Sequence, residues 1–247
     1  MRSLLLTPFI LLSIISYGQT SLKEINLNSG KYKVGFKHYT AIDSTRIYRI
    51  HNEHNNQFTN RPIPISIWYP AETKNGNSKQ LTVLDYLEVL KEEEEWKNLP
   101  NEFLLDWFPN LWNTPQNNAH LSEKVAAFAD TVFLDGKFPV IVYAASYQNS
   151  SIENFALFEY LVSNGFVVIS SPSRGTDTRW LEGATTKEME TQSRDVEFLL
   201  KEIHKYEFID INKIALMGFS FSGQANAITV MKNNRIDALV SLDGAER

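Results

Sequence analysis

The chain has 247 residues, 43% hydrophobic, 12% aromatic and 21% charged, an ordinary globular composition. It is long enough to bury a sizeable core as one large domain or two small ones and too apolar for disorder. Lys plus Arg total 24 against 29 Asp plus Glu, with no basic stripe or aromatic-interleaved RNA motif, so no nucleic-acid partner is expected; the absence of cysteine excludes disulfides and a Cys-linked lipid.

Residues 1–18 read as a secretory signal: Arg2 supplies the positive start, residues 4–15 a short apolar stretch, and Ser16-Tyr17-Gly18 small residues three and one before a cut ahead of Gln19. The apolar run is too short for a comfortable membrane span, and no later segment reaches eighteen apolar residues. The mature chain, 19–247, is therefore expected to be secreted or periplasmic with no transmembrane segment.

Residues 32–36 and 46–50 predict two early strands, and HNEHNNQ a hairpin tip. In RPIPISIWYPA, Ile63, Ile65 and Ile67 alternate with Pro64, Ser66 and Trp68, which predicts a half-buried strand opened by Pro62 and closed by Pro70. Residues 81–98 are helix formers whose acidic run, 92–95, reads as a solvated face; four carboxylates pointing around a helix do not converge on a cation. Residues 99–120 hold three prolines and four aromatics without a regular pattern, so 81–120 reads as an irregular insertion. Its Phe103, Trp107, Phe108 and Trp112 form either core or a lipid-facing lid.

The second half alternates strand and helix. Strands are predicted at 139–143, 166–170, 214–217 and 236–242, and helices at 152–164, 187–205 and 222–232. Such alternation means a mostly parallel sheet with helices on both faces, an α/β fold.

MGFSFSG, 217–223, lies between the third of these strands and the helix that follows. A serine on that sharp turn has its hydroxyl lifted above the sheet, and small flanking residues let strand and helix approach. Gly218 and Gly223 meet the need, although the usual Gly-x-Ser-x-Gly places its second glycine where Ser222 stands. Ser220 is thus a nucleophile candidate; as an ordinary connection it would be a helix cap.

RPIPISIWYPA, FPVIVYAASYQNSSIENFALFEYLVSNGFVVISSPSRG, the helix containing Arg194-Asp195, IALMGFSFSG and DALVSLDG in this order resemble the α/β-hydrolases related to platelet-activating-factor acetylhydrolase and dienelactone hydrolase, over roughly residues 60–245. The resemblance implies a serine hydrolase, mostly esterase or lipase, that needs no metal or cofactor. It implies Ser220 as nucleophile, Asp243 as the acid that orients the catalytic histidine, and the Phe221 amide as one oxyanion donor. The other donor matches Tyr147, in a loop that reads Ala145-Ser146-Tyr147-Gln148-Asn149 where relatives carry His-Gly-x-Gly. Tyr147 either donates its amide there or packs over the sheet edge.

The triad order Ser, Asp, His places the base after Asp243, where only Gly244, Ala245, Glu246 and Arg247 stand. His51 and His54 lie in the hairpin tip without an obvious third metal ligand, His38 and His120 lie in loop-like sequence, and His204 closes a helix. The expectation is a hydrolase missing its last strands and helices, whose 236–242 strand is a bare apolar edge. The substrate expected is a small-molecule or lipid ester. The alternatives are a non-catalytic exported binding module and a peptidase of the same fold.

Overall fold

A computed structural model describes residues 28–72, 78–107 and 112–244. The proposed signal segment, 1–18, and Phe108 lie outside the described residues.

The long strands β1 (Lys33–His51) and β2 (Asn56–Glu72) form an antiparallel hairpin. The two early strands expected from the sequence are one strand interrupted by a bulge between Asp43 and Ile47. Asp43 closes that bulge by accepting from the Thr45 amide and hydroxyl and from Arg46 Nε. Partial burial opposes its ionisation, but these donors prevail and hold the carboxyl at about 2.

β2 is buried on both faces instead of half-buried: Ser66 and Trp68 are as inaccessible as Ile65 and Ile67. The reason is its central position, paired with β1 on one side and with β7 (Val167–Ser171) on the other. The β7 pairing covers only Ser66–Trp68, so Pro62, Pro64 and Pro70 fall outside it and break no bond there.

β3 (Gln80–Thr82) leads into α1 (Val83–Glu93), whose N-terminus is closed by a Thr82–Asp85 capping box. Further on come α2 (Leu104–Trp107) and α3 (Pro115–His120), short helices where no regular element was expected. Phe103 and Trp112 are 47% and 58% exposed, so these two are not core. β4 (Lys124–Ala129) and β5 (Val132–Phe133) follow.

The alternating half begins at β6 (Phe138–Ala144) and continues through α4 (Phe155–Ser163), β7, α5 (Thr186–Glu202), β8 (Ile209–Phe219), α6 (Phe221–Lys232) and β9 (Ala238–Leu242). Sheet order is β3-β4-β1-β2-β7-β6-β8-β9, with β5 beside β2; β7, β6, β8 and β9 are mutually parallel. Phe158 and Val162 of α4 pack with Trp68, Tyr143 and Met217 on one face, whereas Val196, Leu199 and Leu200 of α5 pack with Ile67, Val142 and Leu216 on the other. β9 pairs with β8 at the end of this order, and its Leu239 and Val240 are 39% and 42% exposed. No helix among the described residues is long and apolar enough to cross a membrane.

Candidate active site

The parallel strands deliver their carboxyl ends to one edge, where open α/β sheets place their ligand crevice. At the end of β8 the chain turns into α6 through Ser220 alone, with φ 54° and ψ −118°. A non-glycine residue with positive φ is held against a local steric cost, so the surrounding structure must enforce it. The enforcing contacts are visible: the Ser220 amide donates to the Leu242 carbonyl at 2.9 Å, and the Gly223 amide to the Ser220 carbonyl at 3.0 Å.

Both glycines of the motif are required by close approach. A Cβ on Gly218 would lie 2.7 Å from Asn226 Nδ2 and 2.9 Å from the Ser222 carbonyl carbon, and one on Gly223 would lie 2.5 Å from Ser241 Oγ on β9. Ser222, at the position usually occupied by glycine, is tolerated because its hydroxyl folds back onto the Phe219 carbonyl at 2.8 Å. It is fully buried, whereas Ser220 is half-exposed and its side chain makes no helix-capping bond. The two hydroxyls are therefore not equivalent.

Asp243 follows β9, exposed and with positive φ of 50°. The Ser220–Leu242 bond sets its backbone beside the serine corner. Phe221, the first residue of α6, has an amide without an intrahelical acceptor.

Tyr147 belongs to the loop after β6. Its ring meets the Phe221 ring edge-on, centroids 5.6 Å apart, and its hydroxyl donates to the Leu181 carbonyl at 3.3 Å. The loop lacks glycine yet turns through a left-handed residue, Gln148, with φ 53°. The Gln148 side chain spans to the next loop, donating to the Arg179 carbonyl at 3.0 Å and accepting from the Leu181 amide at 2.8 Å. Side-chain hydrogen bonds thus hold a turn that glycine would adopt freely.

A second anchor is Glu153. Its carboxylate accepts from the Ser146 amide at 2.8 Å and from the Ser146 and Tyr143 hydroxyls. Burial raises its pKa against the opposing pull of Ser146 and Tyr143. Gln192 of α5 donates to the Ala145 carbonyl at 2.6 Å, so the loop is fastened from both sides of the sheet.

The acidic run 92–95 does not form a solvated face. α1 ends at Glu93, and Glu95 is left-handed at φ 63°, so the chain leaves the helical arc within the run and folds inward. Glu93 is 2% exposed and accepts from the Ser150 hydroxyl and from the Ser151 amide and hydroxyl. The chain of contacts continues from Ser151 to Ser66 and from Ser66 to His38 Nδ1. Glu94 pairs with Arg179 and Glu95 with Arg174, both on the loop after β7. These groups escape a reading of the sequence because their partners lie 57 to 85 residues away in the chain.

None of the five histidines bonds Ser220 or Asp243 among the described residues. His38 faces Ser66, His54 meets Trp96, His120 pairs with Glu123, and His51 and His204 end β1 and follow α5. No group of three or more His, Cys, Asp or Glu is placed to hold a metal among the described residues. A cavity of about 700 Å³, bounded by Phe133, Lys137, Tyr206 and Phe208, sits at the amino end of β6, the opposite edge from Ser220.

No protein-family model matches the chain, and no curated protein matches it in sequence. Among solved structures, a ferulic acid esterase from Streptomyces cinnamoneus superposes with a TM-score of 0.62 at 16% identity, covering 88% of this chain and 62% of that one. The chain thus spans less than two thirds of the esterase's length. A hypothetical protein from Pseudomonas aeruginosa (12% identity, 85% of this chain and 42% of that one) and the α/β-hydrolase GrgF from Penicillium sp. sh18 (12%, 43% and 37%) give TM-scores of 0.44 and 0.36, too low to add weight. The sheet order and the strand-to-helix corner are those of the α/β-hydrolase fold.

Proposed function

We propose that this chain, an α/β-hydrolase by fold, is an exported serine hydrolase of carboxylic esters, of the kind related to platelet-activating-factor acetylhydrolase and dienelactone hydrolase. The observation that carries the reading is the enforced left-handed geometry of Ser220, which a plain strand-to-helix link does not need. In the proposed reaction Ser220 Oγ attacks the ester carbonyl while an imidazole removes its proton. The amides of Phe221 and Tyr147 stabilise the oxyanion, and Asp243 orients the imidazole. The alkoxide leaves with that proton, and water then releases the acid from the serine.

The reaction needs a base that none of the five histidines supplies at Ser220. Residues 1–247 alone are therefore expected to hydrolyse p-nitrophenyl acetate poorly, since loss of a triad member costs several orders of magnitude. Added imidazole can act as the base, and the test is a titration with it. Release beyond the rate imidazole gives in free solution, abolished in Ser220→Ala, supports the enzyme. Equal rates in parent and Ser220→Ala at every imidazole concentration refute it.

The second reading is a non-catalytic exported binding module, which the refuting result above would favour. A peptidase of the same fold differs in substrate, and p-nitroanilides in the same titration separate it from an esterase.

A further inference from the structure

Two exposed aromatic side chains belong to two loops that are bonded to each other, one of which packs against Phe221, the residue after Ser220. Tyr147 is 41% exposed, and Trp180, one residue before the carbonyl that receives the Tyr147 hydroxyl, is 53% exposed. Neither is a loose surface ring. Tyr147 is pinned between the Phe221 ring and Leu181. Trp180 lies under the Arg179 guanidinium, 4.0 Å from its centroid, and Arg179 is itself 4% exposed and paired with Glu94.

The Trp180 backbone is fixed as well. Gln148 bonds the residues on either side of it, and the Trp180 carbonyl packs against Gly175 where any Cβ would collide at 2.0 Å. Holding two rings rigid while leaving them in water forgoes the stabilisation that burying their apolar area would bring. Rings fixed in advance on linked loops, one of which adjoins the serine corner, are suited to recognising another flat ring, because stacked and edge-on geometries depend on orientation and lose little entropy when preformed.

We propose that Tyr147 and Trp180 form an aromatic subsite, and that the ester carries a planar aryl group in its acyl or its alcohol part. The proposal rests on Ser220 being the reacting group. Aliphatic esters lack the ring that these side chains are set to meet.

The test measures binding to the full chain, without turnover, by titration in saturation-transfer NMR. The probes are methyl cinnamate and phenyl acetate, each against its saturated counterpart, methyl 3-cyclohexylpropanoate and cyclohexyl acetate. The aryl probe of at least one pair is expected to bind several-fold more tightly than its counterpart; the pair that discriminates tells whether the ring belongs to the acyl or the alcohol part. Tyr147→Ala and Trp180→Ala should each weaken the aryl probe about three- to tenfold and the saturated one much less. Tyr147→Phe and Trp180→Phe, which keep a ring, should retain most of the preference and guard against a folding artefact. Equal binding within both pairs, or aryl preference unchanged in both alanine variants, overturns the subsite. If that happens while Ser220-dependent release with imidazole persists, the serine reading stands and only the subsite falls. If aryl preference holds and Ser220→Ala changes no rate, the subsite stands in a binding module.

Discussion

Asp195→Asn is expected to be among the most damaging single substitutions distant from Ser220. Arg61 is wholly inaccessible, and Asp195 is 3% exposed; they form a two-point bridge, Nε to Oδ1 at 2.9 Å and Nη2 to Oδ2 at 2.6 Å. Arg46 Nη2 also lies 2.6 Å from Oδ1, so this carboxylate touches two guanidinium groups, Arg46 being paired with Asp43 as well. Burial alone would lower the Arg61 pKa, but Asp195 more than offsets it and the net direction is upward. Replacing the carboxylate by an amide of the same shape leaves that buried cation unbalanced, a change worth about 3–5 kcal/mol. In a domain of this size each kcal/mol moves Tm by about 2–4 °C, so the midpoint should fall by about 6–20 °C. Arg61 also donates to the carbonyls of Arg174, Gly175 and Thr176, which start the loop that carries Trp180. Amide hydrogen exchange over residues 174–181 should therefore rise along with the loss of stability seen in urea unfolding. The double variant Arg61→Met, Asp195→Leu should recover most of the loss, because the apolar pair removes the buried cation with its partner and Arg46 keeps Asp43. A cost under about 1 kcal/mol, the range of an exposed pair, or a double variant no more stable than the single one, would refute this account.

Gly218→Ala should destabilise by about 1–3 kcal/mol, since its methyl would overlap Asn226 and Ser222, and should lower Ser220-dependent release; a neutral effect on urea unfolding would contradict the packing argument. Ser222→Ala should lose about 1 kcal/mol with its bond to Phe219 and leave the imidazole-driven rate intact, and loss of that rate would move the nucleophile to Ser222. Burial, aided by the charge of Arg174, lowers His38 from 6.5 to about 4. The unfolded chain therefore takes up a proton at this site first as pH falls, so His38 contributes stability that is present above about 6.5 and lost toward 4, about 3 kcal/mol over the window. His38→Asn should flatten that part of the urea-midpoint profile between pH 7.5 and 4, and an unchanged slope would count against it.

The strands β6, β7 and β8 and the helices between them are legible in the sequence because each is a local pattern: an apolar run of strand length, a helical period, a glycine or a small residue at the junction. MGFSFSG belongs to the same class, since the glycines that permit its corner stand within five residues of the serine. What the pattern misjudged was set by distant partners. Alternation in RPIPISIWYPA predicts one buried face, yet β2 lies between two strands with helices over both faces, so Ser66 is buried too and bonds Ser151. The run 92–95 is polar enough for a solvated helix; only the fold brings Ser150, Ser151, Arg174 and Arg179 to it. Apolar periodicity records which residues avoid water, so it reports elements and their buried sides. A buried charge is stable only beside its partner, and where that partner is remote in the chain its environment is decided by tertiary structure alone.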